Sequence, residues 1–102
     1  MTTLQKHIRD LIFFYVKTNY EKYLQENNIT RISDESMPKI IDELYSNRKD
    51  HIKIFIKDSL IQLLKDEHPG DSVINTILRE IFEDDELCKT RILVEIQTYQ
   101  NS

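Results

Sequence analysis

The stretch Leu4–Glu26, LQKHIRDLIFFYVKTNYEKYLQE, decides the fold of this chain. Within it Leu4, Ile8, Leu11, Ile12, Tyr15, Val16, Tyr20, Tyr23 and Leu24 recur at intervals of three and four. That spacing stacks side chains along one side of an α-helix. Ahead of them Thr2 and Gln5 form a capping box, in which hydroxyl and amide each satisfy a backbone donor of the first turn. Asn27 and Asn28 tolerate left-handed backbone and mark the end of the helix.

The same reading extends along the chain. Residues 27–36 are polar and form a loop, with Ile29 and Ile32 as anchors onto the domain. Ser33, Asp34 and Ser36 are suited to cap the second helix, and Pro38 fits only in its first turn. That helix runs from about Met37 to Ser46 with Met37, Ile40, Ile41, Leu44 and Tyr45 on one side, and the polar Ser46–Lys49 turns the chain. A third helix, near Asp50 to Asp66, presents Ile52, Phe55, Ile56, Leu60, Leu63 and Leu64. His68-Pro-Gly-Asp71 is a turn by composition. Asp71 or Ser72 caps a fourth helix with Ile74, Ile77, Leu78, Ile81 and Phe82. The acidic run Glu83–Glu86 leads into a fifth, Glu86 to Gln100, bearing Leu87, Cys88, Ile92, Leu93, Ile96 and Tyr99. One Gly, two Pro and no strand-period segment predict a single all-α domain over residues 1–102, built from about five helices.

The chemistry of the side chains removes several functions. A formal net charge of −4 opposes direct nucleic-acid binding, which needs a basic face. That reading reverses only if folding gathers Lys6, Arg9, Arg48, Lys49 and Lys53 on one side. His7, His51, His68 and the single Cys88 show no metal-ligand spacing, so no metal or other cofactor is expected. Asp84 or Asp85 in the acidic run is read as the cap of the fifth helix, its carboxylates facing the positive helix end. No nucleophile stands beside a base in a known catalytic pattern, and no glycine loop could cradle a phosphate, so the chain is not expected to be an enzyme. The longest apolar run, Leu11–Val16, is far short of the roughly 20 residues of a membrane span. One cysteine and a polar start without a signal sequence predict a cytoplasmic or nuclear protein.

The surplus of large apolar side chains is the informative feature. Leu11-Ile-Phe-Phe-Tyr-Val16 places bulk on every side of its helix, and Ile54 and Ile61 fall off the stripe of theirs. Three arrangements accommodate this: a first helix wrapped by the others, a groove facing a partner, or a homodimer seam on the first helix. Phe13, Phe14, Tyr20, Ile54, Phe55 and Ile61 are the candidate partner-binding residues.

Lys49-Asp-His-Ile-Lys-Ile-Phe-Ile-Lys-Asp-Ser-Leu-Ile61 resembles the Lys-Asp-x-Leu-Lys helix of the enhancer-of-yellow, or Sus-type, family. These are small helical adaptors shared by the SAGA deubiquitinase module and the nuclear-pore-associated mRNA-export complex. Ser72–Ile81 is similar to the family's next helix, Lys89–Tyr99 to its C-terminal helix, and Val16–Leu24 to its first. Residues 27–37 stand as an insertion, Asn47-Arg48 replaces the family's Gly-Trp, and acidic residues replace its Val-Pro. The resemblance implies an articulated row of helices wrapping a long helix of a scaffold subunit. It also implies a nuclear, non-enzymatic protein acting in transcription, chromatin regulation and mRNA transport.

Overall fold

A computed structural model describes residues 3–64, 70–83 and 85–101. Helix α1 (Thr3–Glu26) is followed by α2 (Met37–Leu44), a 3₁₀ turn (Ser46–Arg48), α3 (Lys49–Leu64), α4 (Asp71–Glu83) and α5 (Asp85–Gln100). The class is all-α, with no strand among the described residues. Helices α4 and α5 stand one residue apart; taken as one helical segment, they leave four where the sequence predicts five. The first two residues of the His68–Asp71 turn, the end of the third helix predicted beyond Leu64, the Thr2 cap and a cap at Asp84 lie outside the described residues.

At 24 residues, α1 is about 36 Å long, the longest helix of a molecule whose greatest extent is 42 Å. Its buried residues are Ile8, Ile12, Val16 and Tyr20, every fourth position. Helix α3 repeats the pattern with Ile52, Ile56 and Leu60, and α5 with Ile92 and Ile96. Rows at i, i+4 form the ridges that interlock when helices cross, so this one spacing aligns several helices on one core. Accordingly α1 packs against α2, α3 and α5, and Ile74, Leu78 and Ile81 of α4 complete the cluster. Polar links sit at the margin: Lys89 Nζ meets Asp42 Oδ1 at 2.6 Å, tying α5 to α2. Arg48 Nη1 donates to Asn19 Oδ1 at 3.2 Å, tying the 3₁₀ turn to α1.

The loop after α1 departs from the sequence reading in two ways. Ile32 is an anchor, 3% exposed, but Ile29 is 40% exposed and holds nothing down. Its amide instead donates to Leu24 O at 3.0 Å, closing the end of α1, so position 29 is committed to the cap and its side chain faces outward. Ser33, not Asp34 or Ser36, supplies the side-chain cap near α2: its Oγ accepts from the Ser36 amide at 3.3 Å, while Ser36 makes no side-chain cap bond. Helix α2 also stops two residues earlier than expected, at Leu44, because Ser46–Arg48 tightens into the 3₁₀ turn that feeds α3. Leu63, expected in the core stripe, is 64% exposed in the last turn of α3, beyond the run of buried residues that ends at Leu60.

Asn28 carries the one positive φ of a non-glycine among the described residues, 53°. The left-handed region strains side chains branched at Cβ and costs glycine nothing. Asn28→Gly should leave the urea midpoint nearly unchanged, whereas Asn28→Val should cost about 1–2 kcal/mol. Equal midpoints for the two variants would show that the φ does not constrain this position.

Candidate functional site

Successive residues on a helix point about 100° apart, so the bulky run on α1 divides its side chains between two sides of the molecule. Phe13 turns toward α4 and α5, where the three helices enclose an open groove of about 290 Å³. Ile12, Phe13, Ile81, Leu87, Cys88 and Ile92 supply its apolar lining. Lys6, Arg9, Asp10, Glu80, Arg91 and Glu95 stand around it, so the rim carries three cations and three carboxylates. Ile12, Ile81 and Ile92 belong to the buried core and form the floor, while Phe13 and Cys88 are half-buried. Leu87, 47% exposed, is the most accessible apolar group there.

Phe14 faces α3 instead. Its ring stacks on Phe55 with centroids 6.2 Å apart and planes 12° from parallel, yet Phe14 stays 55% exposed. Tyr15 meets Phe55 from the inner side at 5.5 Å. Ile54 and Ile61, seven residues apart and so on one face of α3, are 60% and 54% exposed.

The candidate residues therefore fall into three places. Phe13 lines the groove; Phe14, Ile54 and Ile61 lie exposed on α1 and α3, with Phe55 half-buried against the core beneath Phe14. Tyr20 requires a correction, because it is 1% exposed and belongs to the core. Its position continues the Ile8–Ile12–Val16 row, and its hydroxyl reaches a partner inside the protein: Tyr20 Oη donates to Gln100 Oε1 at 2.7 Å. An aromatic with a satisfied polar tip has no need of an outside surface. Burial raises the Tyr20 pKa above the usual 10.0, while Arg31 opposes the shift.

Leu87, read from the sequence as one of the fifth helix's apolar residues, and Arg91 are not among the candidate partner-binding residues. The available signal was Leu87's place beside, not on, the Cys88–Ile92–Ile96 row. What the sequence did not carry is the pairing of α5 with the first half of α1, since those residues are some eighty positions apart. The five basic residues Lys6, Arg9, Arg48, Lys49 and Lys53 do not share one site. Lys6 and Arg9 line this groove, Lys49 and Lys53 flank Phe82, and Arg48 bonds to Asn19.

No buried polar or charged residue is found among the described residues, and none of their His, Cys, Asp and Glu groups could hold a metal ion. No helix of the described residues is long and apolar enough to cross a membrane. No family model, curated protein or solved structure matches the chain.

If Ile54 and Ile61 contribute only surface, Ile54→Ser and Ile61→Ser should each change the melting free energy by less than about 0.5 kcal/mol. A loss of 2 kcal/mol or more would place them in the core.

Proposed function

We propose that the chain is a non-enzymatic helical adaptor whose groove between α1, α4 and α5 grips an amphipathic helix of a partner protein. The observation that carries this reading is the groove itself: an apolar floor, half-buried Phe13 on one wall, exposed Leu87 on the other and charges of both signs around it. That is the form of a helix-in-groove site, where apolar residues one or two turns apart enter the floor and charged neighbours fix the direction. Its volume is at the lower end of small-molecule pockets, and its polar groups stand at the margin.

The partner class follows from the resemblance to the enhancer-of-yellow adaptors, which points to a scaffold helix of a histone-deubiquitinating coactivator or an mRNA-export complex and to a nuclear setting. This finer assignment rests on the sequence resemblance alone. A second reading, self-association through α1, draws on Phe14, which is 55% exposed where it stacks on the half-buried Phe55.

Affinity capture from the source cell with mass spectrometry separates the two. Recovery of deubiquitinase-module or export-scaffold subunits supports the adaptor; recovery of the chain alone, with a dimeric mass in solution, supports self-association. Phe13→Ala should then lower affinity for the captured partner by about 2 kcal/mol. Its cost to folding should stay below the roughly 3–5 kcal/mol of a fully buried aromatic. Undiminished affinity would remove Phe13 from the interface.

A further inference from the structure

We propose that the cleft between α3 and α4 recognises a short acidic segment of a partner protein. Lys53, Asn75, Arg79 and Phe82 line this cleft, and among the described residues Glu83 is the one carboxylate in its lining. Lys49 and Lys53, one helical turn apart, both bring Nζ to 5.6 Å from the centre of the Phe82 ring. Like charges at i, i+4 oppose each other, and the electron-rich ring face offsets only part of that repulsion. Lys53 and Arg79 thus place two cations in this cleft of a chain whose formal net charge is −4, and Lys49 approaches the same ring from one turn away. The ion pairs recorded among the described residues join Lys89 to Asp42 and Glu86 and leave Lys53 and Arg79 out.

A carboxylate suits this arrangement. The guanidinium of Arg79 offers a two-pronged donor, the Lys53 ammonium a second point of charge and the Asn75 amide a neutral donor. Phe82 gives apolar footing for the methylenes of a glutamate. A nucleic-acid backbone suits it less well. Phosphate binding gains from many cations in a line, whereas here Lys6 and Arg9 line the other groove. The cleft shares no lining residue with that groove, so this inference does not depend on the adaptor reading.

The test is titration of the full-length, ¹⁵N-labelled chain with a hexaglutamate peptide and, separately, with a DNA oligonucleotide of similar length. Saturable, salt-sensitive shifts confined to the amides and side chains of Lys53, Asn75, Arg79 and Phe82 are expected with the peptide, while Leu87 and Arg91 in the groove stay unmoved. Arg79→Gln and Lys53→Gln should each weaken peptide binding about threefold to tenfold. Arg79 is exposed, so its variant is expected to fold, and the unmutated chain's shift map decides the question independently. No saturable shifts at the cleft, shifts centred elsewhere, or tighter binding of the oligonucleotide than of the peptide would overturn the proposal.

Discussion

Tyr20→Ala is expected to reduce the unfolding free energy by about 3–5 kcal/mol, the cost of emptying a fully buried aromatic site. For a domain whose whole stability is of order 5–15 kcal/mol, that is enough to leave much of the protein unfolded on mild warming. The ring lies on the core row of α1, in edge contact with Tyr99 at 6.4 Å between centroids. Tyr20→Phe keeps the ring and removes only the hydroxyl that donates to Gln100, so it should cost about 1 kcal/mol. Urea melts of the two variants measure the difference; equal losses would mean that the hydroxyl, not the ring, holds α1 in place. The hydroxyl also makes a prediction about pH. The folded state keeps the Tyr20 proton beyond the usual 10.0, because ionisation there is opposed chiefly by burial. Above that pH the unfolded chain releases the proton first, so stability present below pH 10 is lost as pH rises through the folded-state value. Tyr20→Phe should flatten that alkaline decline.

Gln100→Ala is expected to cost about 2–3 kcal/mol, more than its half-buried position suggests. Its carboxamide closes three bonds at once. Oε1 accepts from Tyr20 Oη and from the Ile32 amide, each at 2.7 Å, and Nε2 donates to Ile32 O at 3.0 Å. One side chain therefore fastens the end of α5 to α1 and to the 27–36 loop. Truncation leaves a buried hydroxyl and both polar groups of a buried backbone unit without this partner. Gln100→Glu should fall between, since a carboxylate still accepts from Tyr20 and Ile32 but repels the Ile32 carbonyl. Amide hydrogen exchange supplies the specific readout: Ile32 should lose its protection in Gln100→Ala while Ile12 and Ile56 keep theirs. Unchanged protection at Ile32 would show that Gln100 does not hold the loop.

Much of this architecture could be read from the sequence because local rules specify it. Core rows at i, i+4 in α1 and α3, the end of α1 at Asn27–Asn28 and the placement of Pro38 all follow from residues within one or two turns of each other. Tyr20 lies on the four-residue row of Ile8, Ile12 and Val16, so its burial was legible locally; the partner of its hydroxyl was not. Gln100 is eighty residues from Tyr20, and nothing in the periodicity of α1 announces a hydrogen bond to it. Ile29 closes the end of α1 through its amide on Leu24 O, whereas the Ile32 backbone meets the Gln100 carboxamide. The site was legible in the same uneven way. Surplus bulk at Leu11–Val16 pointed to an interaction surface on the first helix, and Phe13 lies in the groove. Which helices would form the opposite wall required the tertiary structure, since Leu87 and Arg91 meet α1 only once the chain is folded.

The central claim, that a partner helix occupies the groove between α1, α4 and α5, is most directly tested at Cys88. It is the single cysteine of the chain and lies in the groove lining, so its alkylation reports on that surface alone. The measurement is the rate of maleimide addition to the intact chain, followed by mass spectrometry, with and without the captured partner. The account predicts that partner binding slows addition sharply, and that Phe13→Ala at the same partner concentration restores much of the free rate. Addition at the same rate with the partner fully bound would place the interface elsewhere.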